Sequence, residues 1–468
     1  MLLTGCSGTF SHYEKVERSL QNGEPAKAVE LIEAAEDDYG ADNHLLYLMD
    51  QGMVLHLAGR YQESNTILEE ADKLIEEQYT IRFRNQFSAL LLNETQLPYK
   101  GEPFEQVLIN VIKALNYALL QNWTESLVEA RKIDHRLNVF SDRTQGDEYQ
   151  EDPFARYLTG ILYEIAEDWN NAYVAYRKAE AVYEDTQAWS GVSIPDTLKT
   201  DLIRATAALH LEEDGEHFRM KYPEADSVSP MGDDANMAQL IVVTYNGRGP
   251  KKEDRYIDVP VSLDALKLVF LAKGVGGSST RATRGRDTLL YGIHGRVARI
   301  AVPQLIPQRS QVAYSLIELA SETRTLTTHS QRIYDIGAVA EKNLDDVYHQ
   351  LVVRAVARAA MKMAAAEGIG AGARSMFKGD SRNILVPLVT ILVRLFAIGT
   401  EEADIRSWRT LPGEIQLARL WIPSGSYNFT INAVDHQGRT IGSGESRQLD
   451  IQKGEVRFLL QHHLEIRE

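Results

Sequence analysis

The tightest constraint on the fold is a recurring spacing of small and large residues in the first half of the chain. Over residues 48–71, Gly52, Leu55, Gly59, Tyr61, Leu68 and Ala71 fall at set intervals. Residues 160–179 repeat the pattern with Gly160, Tyr163, Trp169, Ala172, Tyr176 and Ala179. Weaker copies are Gly23, Ala28, Ile32 and Ala35, and Ala114, Tyr117, Trp123, Ser126 and Ala130. Small residues at such intervals let one helix approach another, and the large ones fill the space between them. A single helix pair cannot bury its apolar face, so copies of this kind must stack.

The intervals resemble the tetratricopeptide pattern of helix, turn and helix. Gly23 and Gly59 lie close to its period of about 34 residues. Insertions spread the other copies, so the array is degenerate. Stacked repeats bury a continuous core and leave a groove for a peptide or protein. Tyr163, Trp169 and Tyr176 themselves are expected between helices, with any ligand contacting variable positions around them.

The second half reads differently. A polar stretch with Gly, Pro and Asp, Tyr222 to Ala235, marks a boundary. Strand patterns follow at Gln239 to Tyr245, Tyr256 to Val261, Arg299 to Ile306, Val312 to Leu319 and Thr325 to Tyr334. Asn246 to Pro250 is a turn. Near the end Tyr427, Phe429 and Ile431, then Val456, Phe458 and Leu460, alternate with polar residues, as half-buried strands require. Turns at Ile422 to Ser426 and Asp435 to Gly438 separate them, which suggests a small β-sandwich.

Between these strands Leu344 to Ala366 is alanine-rich and free of Pro and Gly, hence helical. Arg354, Arg358 and Lys362 recur every fourth residue on one face. They form either a solvated stripe or a contact for an anionic surface such as lipid headgroups, cell-wall polymer or the acidic repeats. Ile384 to Ile398 is the most apolar window. At 15 residues, with Pro387 and Arg394 inside it, it is too short and too polar to span a bilayer. A buried core helix is the first reading, and an oligomer interface or shallow membrane contact the others.

The expected class is therefore α+β: an N-terminal α-solenoid of degenerate helical repeats, then a mixed domain with an antiparallel β-sandwich and an inserted helical segment. The divisions are 1–10 (residual signal and linker), 11–221 (repeats), 222–237 (linker), 238–342 (β-rich), 343–402 (helical insertion) and 403–468 (completion of the sandwich).

Charge follows the same division. Residues 1–235 carry 43 acidic and 20 basic side chains, the remainder 23 and 30, for a net charge of -16. Either the halves serve different partners, or they attract one another. A chain this acidic is not a general nucleic-acid binder. One cysteine excludes a disulfide framework and any Cys-built zinc site. That cysteine lies in Leu3-Thr-Gly-Cys6-Ser7, which closely resembles a bacterial lipobox, where the cysteine becomes a lipidated first residue. Only five residues precede it, fewer than a secretory signal needs, so the true start is expected upstream. Ser7 at the next position resembles the sorting choice of outer-membrane lipoproteins. A triacylated cysteine carries enough chains for stable anchoring.

Motifs that carry chemistry are missing. Lys273 to Ser279 is glycine-rich but lacks the Gly-Lys-Ser/Thr ending of a phosphate cradle, and reads as a loop. There is no Gly-x-Ser-x-Gly and no His-Glu-x-x-His. His462 and His463 are adjacent, so on a strand they point to opposite faces. No catalytic residue, metal ligand or cofactor site is assigned.

Several segments together resemble an uncharacterised family of tetratricopeptide-containing lipoproteins of Gram-negative bacteria. They are Tyr99 to Phe104, Ala114 to Tyr117, Val128 to Arg131, Asp152 to Phe154, Tyr157 to Gly160, Asn246 to Lys251 and Ala403 to Pro412. The resemblance implies a lipoprotein on the periplasmic face of the outer membrane. Its implied partners are envelope proteins, including small lipoproteins resembling peptidoglycan-synthase activators or the curli secretion lipoprotein. Within the last segment Asp404, Arg406 and Trp408 read as a packed corner with an ion pair. The expected function is a lipid-anchored periplasmic scaffold binding an envelope partner through its repeats. The rivals are an oligomeric membrane-associated assembly using residues 384–398, related to a pore or secretion, and a cell-wall enzyme built on clustered carboxylates.

Overall fold

Five times in the first half a helix ends in the same way. The computed structural model describes residues 12–82, 95, 97–143, 151–226, 237–260, 297–308, 310–366 and 402–464. Among these, Gly23, Gly59, Gln121, Glu167 and His210 all take left-handed backbone, with φ from +55° to +73°. At each, the left-handed residue donates its N–H three residues back and the next residue donates five back. Gly59 reaches His56 O at 3.0 Å and Arg60 reaches Leu55 O at 2.9 Å. Glu167 and Asp168 reach Glu164 O and Tyr163 O at 2.9 Å each. The paired bonds satisfy carbonyls that a helix end otherwise leaves without donors.

These turns divide five helical hairpins: α1 (Tyr13–Gln21) with α2 (Pro25–Glu33), α4 (His44–Leu57) with α5 (Tyr61–Arg82), α6 (Pro103–Leu119) with α7 (Trp123–Arg143), α8 (Pro153–Ile165) with α9 (Trp169–Ser190), and α10 (Asp196–Ala208) with α11 (Glu212–Lys221). Short α3 (Glu36–Tyr39) and α12 (Pro223–Asp226) punctuate the array; α12 falls inside the stretch expected to be linker.

Within a hairpin the close approach is carried by the predicted small residues. A Cβ on Gly52 would sit 2.4 Å from Leu68, and one on Gly160 would sit 2.4 Å from the Tyr176 ring. Both pairs are 16 residues apart. Twelve residues beyond the small position come Ser64, Ser126 and Ala172, all fully buried. Ser64 Oγ returns a hydrogen bond to Gly52 O at 2.7 Å, and Ser126 Oγ to Ala114 O at 2.9 Å. The helical half is thus a tetratricopeptide-like array in its own geometry.

The second half holds β1 (Met237–Asn246), β2 (Lys251–Pro260), β3 (Val297–Ile306), β4 (Val312–Ala320), β5 (Thr325–His329), β6 (Gln331–Asp335), α13 (Ile336–Ala366), β7 (Glu414–Pro423), β8 (Gly425–Asp435), β9 (Thr440–Ile451) and β10 (Val456–His463). One four-stranded sheet has the order β10-β1-β7-β6, a second β5-β4-β8-β9, and β2 pairs with β3 as a ribbon. Leu240 and Val242 of β1 share a core with Ile317, Leu319, Phe429 and Ile431 of the second sheet.

Three expectations need correction. The sheets are not wholly antiparallel: β10 returns beside β1 in parallel, with Ile241 opposite Phe458. A parallel neighbour needs a long crossover, and the whole intervening second half supplies it. The single strand expected over Thr325 to Tyr334 is two, belonging to different sheets. Ser330 changes sheets between them, donating its hydroxyl to Gln416 Oε1 at 2.6 Å. The helix expected from Leu344 starts at Ile336, where Asp335 Oδ1 accepts from Ala338 N at 2.9 Å as an N-cap. Cys6, Lys273 to Ser279 and Ile384 to Ile398 lie outside the described residues.

β1 explains why the halves form one body. While Leu240 and Val242 face the second sheet, Ile241, Val243 and Tyr245 join the core of the helical array. A strand covered on both faces reads as a continuous apolar run rather than an alternation, and Leu240 to Val243 is such a run. The first helices are covered correspondingly. In α6 every residue from Phe104 to Asn116 is buried, whereas in α9 only a stripe of seven is. The face that would line a groove is filled by the chain's own sheet.

Candidate functional site

The functional geometry is concentrated in the seam between the repeats and the sheets. Its polar residues sit in helices that are otherwise apolar. His56 of α4 is fully buried; its Nδ1 lies 2.5 Å from Asn116 Oδ1 and its Nε2 lies 3.1 Å from Tyr245 Oη. The Asn116 amide nitrogen donates to Ser64 Oγ at 2.9 Å and Asn65 Oδ1 at 2.8 Å. Its oxygen therefore faces the imidazole, which assigns the proton to Nδ1 and leaves Nε2 to accept from Tyr245. One neutral ring thereby ties two hairpins to β1. Burial pushes it down to about 4.

Two carboxylates flank it in the array. Asp50 accepts from Tyr13, from Tyr39 at 2.8 Å and from Thr410 at 2.8 Å, and burial pushes it up to about 6. Further along, Tyr183 Oη donates to Ile333 O at 2.8 Å and Tyr334 Oη donates to Asp152. Asp152 also caps α8, accepting from Ala155 N at 2.7 Å.

Charge crosses the seam with one polarity. Arg419 of β7 is fully buried and lies 2.5 Å from Asp201 of α10 and 2.5 Å from Glu164 of α8. Arg204 pairs with both carboxylates, and Arg204 and Arg419 stack on Trp421 at 4.4 and 4.9 Å. Glu17 of α1 holds Arg248 at 2.5 Å and also Arg409. At these pairs acid from the repeats meets base from the sheets, so attraction between the halves accounts for part of the charge asymmetry.

A further cluster lies at the start of α6. Glu102 and Glu105 form a capping box there. Glu102 accepts from Lys252 at 2.5 Å and from Asn343 at 2.9 Å. Glu105 accepts from Tyr99 Oη at 2.5 Å, Glu102 N at 2.7 Å and Trp408 N at 2.8 Å. Burial and the Glu102 charge push Glu105 up to about 7. Burial works to raise Glu102 too, but Lys252 and Lys100 outweigh it and hold it at about 2. Divergent carboxylates in a cleft are what acid–base chemistry requires. Here, however, the oxygens of both are engaged in capping and in tying β2, α13 and the 402–413 segment to the array.

The sequence-derived residues fall as follows. Gly52, Gly160, Ala172 and Tyr176 form the inter-helix contacts, and Tyr163 is buried. Trp169 is half-buried against the core. Gly59 makes a left-handed turn, and Tyr61 lies 5.8 Å from the His56 ring. Arg406 forks onto Asp404 at 2.7 and 2.8 Å and reaches Asn43 Oδ1 at 3.1 Å and Leu97 O at 2.9 Å. Trp408 is buried beside them. This corner thus binds the segment before β7 to the first hairpins. Arg354 donates to Gln350 at 3.4 Å, while the side chains of Arg358 and Lys362 lie outside the described residues. Among the described residues no group of three or more His, Cys, Asp or Glu is placed to hold a metal, and no helix is long and apolar enough to cross a membrane.

Sequence reasoning missed Asp50, His56, Glu102, Glu105, Asn116, Asp201 and Arg419. The available signal was polar interruption of apolar helices, clearest at Asn110, Lys113 and Asn116 in α6.

No protein-family model and no curated protein matches this chain. Similar solved structures include MamA from Desulfovibrio magneticus RS-1, at TM-score 0.29 and 14% identity over 48% of this chain and 96% of that one. A MamA double mutant aligns at TM-score 0.31 and 14% identity, over 47% and 96%. Kinesin light chain TPR-like repeats from Podosopora anserina align at TM-score 0.30 and 14% identity, over 47% and 96%. Likenesses this shallow assign nothing to the chain, and its repeats stand on the five shared turns.

Proposed function

We propose that this protein is a non-catalytic, lipid-anchored scaffold of the cell envelope that binds a protein partner on the outer side of its repeats. The observation that carries this reading is the distribution of exposure. Helices α6 and α8 are largely buried, with the chain's own sheet against them, while Val128 of α7 and Val174 and Trp189 of α9 stand exposed on the acidic half. Apolar side chains presented from a rigid array suit a protein contact, and the acidic surroundings favour a basic partner. The groove reading is replaced in this proposal by the second-helix surface. The Leu3 to Ser7 pattern supports anchoring through Cys6 on the periplasmic face of the outer membrane, among envelope proteins.

A photo-crosslinking residue placed at Val174 in intact envelopes tests the reading. The expected result is one captured envelope protein, lost in Val128→Asp/Trp189→Asp with the melting temperature unchanged. Capture that survives the double substitution removes the second-helix surface as the contact. Self-crosslinked multimers alone favour the oligomeric assembly.

A further inference from the structure

The second sheet, β5-β4-β8-β9, has one covered face and one open face. Ile317 and Leu319 of β4 and Phe429 and Ile431 of β8 turn inward to the core shared with β1. Side chains alternate along a strand, so the residues between these face out. Pairing aligns them in rows across the four strands. One row carries Thr325, Asn428 and Gln448 with Ala320 among them, and the next carries Thr327, Thr430 and Ser446 with Glu318 among them. Thr325, Thr327, Asn428, Ser446 and Gln448 are exposed, and Thr430 is half-buried. With strands about 4.8 Å apart, each row spans about 14 Å.

Six of the eight positions in these rows are hydroxyls or carboxamides, and Glu318 is the one charge. Such groups both donate and accept hydrogen bonds, and an array of them matches a ligand that does the same. Ser446 Oγ donates to Asn428 Oδ1 at 2.9 Å and accepts from Thr430 Oγ1 at 3.4 Å, so the rows hold part of the array in place before a ligand arrives. Further along the same face, the rings of exposed His329 and half-buried Tyr314 lie 5.7 Å apart at 65°. Ring faces there offer an apolar contact for the C–H groups of a sugar. Charge narrows the choice. A polyanion meets Glu318 and the chain's net charge of -16, while a polycation finds one carboxylate in the two rows. An apolar protein surface would cover hydroxyls that it cannot pair.

We propose that the outer face of the second sheet binds a neutral polysaccharide. Its hydroxyl and acetamido groups exchange hydrogen bonds with the two rows, and a sugar ring lies against His329 and Tyr314. The site is separate from the second-helix surface and does not depend on it.

Isothermal titration of the full chain is the test, with chitohexaose and cellohexaose as neutral probes and polygalacturonate as the anionic one. The expected result is saturable binding of at least one neutral oligosaccharide. Half-saturation should fall between about 0.1 and 1 mM, because exposed hydrogen bonds exchange against water for little net gain. Asn428→Ala/Gln448→Ala should raise that concentration on the order of 10-fold. Both side chains are exposed, so the melting temperature should stay the same. Should the double variant fail to fold, His329→Ala answers in its place with a loss of about 5-fold. Absence of binding by both neutral probes overturns the proposal. Polygalacturonate binding as tightly as they do overturns its neutrality, and an affinity unchanged in both variants overturns the sheet face as the site.

Discussion

Tyr176 cannot retreat from Gly160. The ring is fully buried and its hydroxyl donates to Glu164 at 2.6 Å, so a methyl group 2.4 Å from the ring must displace the helix. Gly160→Ala is expected to cost about 1–3 kcal/mol by overpacking, read as a lowered denaturation midpoint. His56 supplies a pH prediction. Its folded value near 4 lies below the ordinary 6.5, so the unfolded chain binds the extra proton between those values. The contribution is full above pH 6.5 and is lost as pH falls toward 4, by up to roughly 3 kcal/mol. Glu105 acts in the opposite sense, its raised value favouring the fold at low pH and weakening it as pH rises from 4.5 to about 7. Replacing the ring isolates its part: the stability of the native chain relative to His56→Gln should fall as pH drops from 6.5 to 4, by up to roughly 3 kcal/mol, the other groups being common to both chains. An unchanged slope would assign the acid sensitivity elsewhere.

At the scale of elements, β1 makes a demand that an ordinary surface strand does not. Leu240 and Ile241 point to opposite faces, yet both are fully buried, one against the second sheet and the other against the helices. Leu240→Ala and Ile241→Ala should therefore both cost about 2–5 kcal/mol in urea denaturation. A small effect at Ile241 would mean the helical face of the strand is loosely covered. The hairpins show what local sequence can reveal. Gly52 and Gly160 are legible because a small residue and its large counterpart lie only 16 positions apart. The turns at Gln121, Glu167 and His210 are not, because these residues take a conformation in which glycine is the ordinary occupant. The α10–α11 hairpin, closed by His210, was not legible as a copy because Ile203, Glu212 and Arg219 stand where α8–α9 carries Gly160, Trp169 and Tyr176.

At the scale of the molecule, one apolar core runs from Val16 in α1 to Phe458 in β10, and buried charge pairs bridge the same seam. Halves coupled in this way should unfold together. Calorimetry is expected to show a single transition whose calorimetric and van't Hoff enthalpies agree; two transitions would mean that the seam opens first. Arg419→Met, which leaves Asp201 and Glu164 with Arg204 as their remaining cation, should lower stability by roughly 3 kcal/mol. Full recovery in an Arg419→Met/Asp201→Asn/Glu164→Gln triple variant would locate that loss in stranded charge.

The sequence by itself determined the repeats, the strands with alternating residues and the unequal charge of the two halves. Each of these is written in residues a few positions apart, or in composition, where helix and strand periods act directly. What the acidic surface meets was decided only in three dimensions. Arg419 finds Asp201 across 218 positions, and Trp408 finds Glu105 across 303. No local period connects such residues. Their pairing exists because β1 and β10 settle on the first helices, burying polar groups that must then satisfy one another away from water.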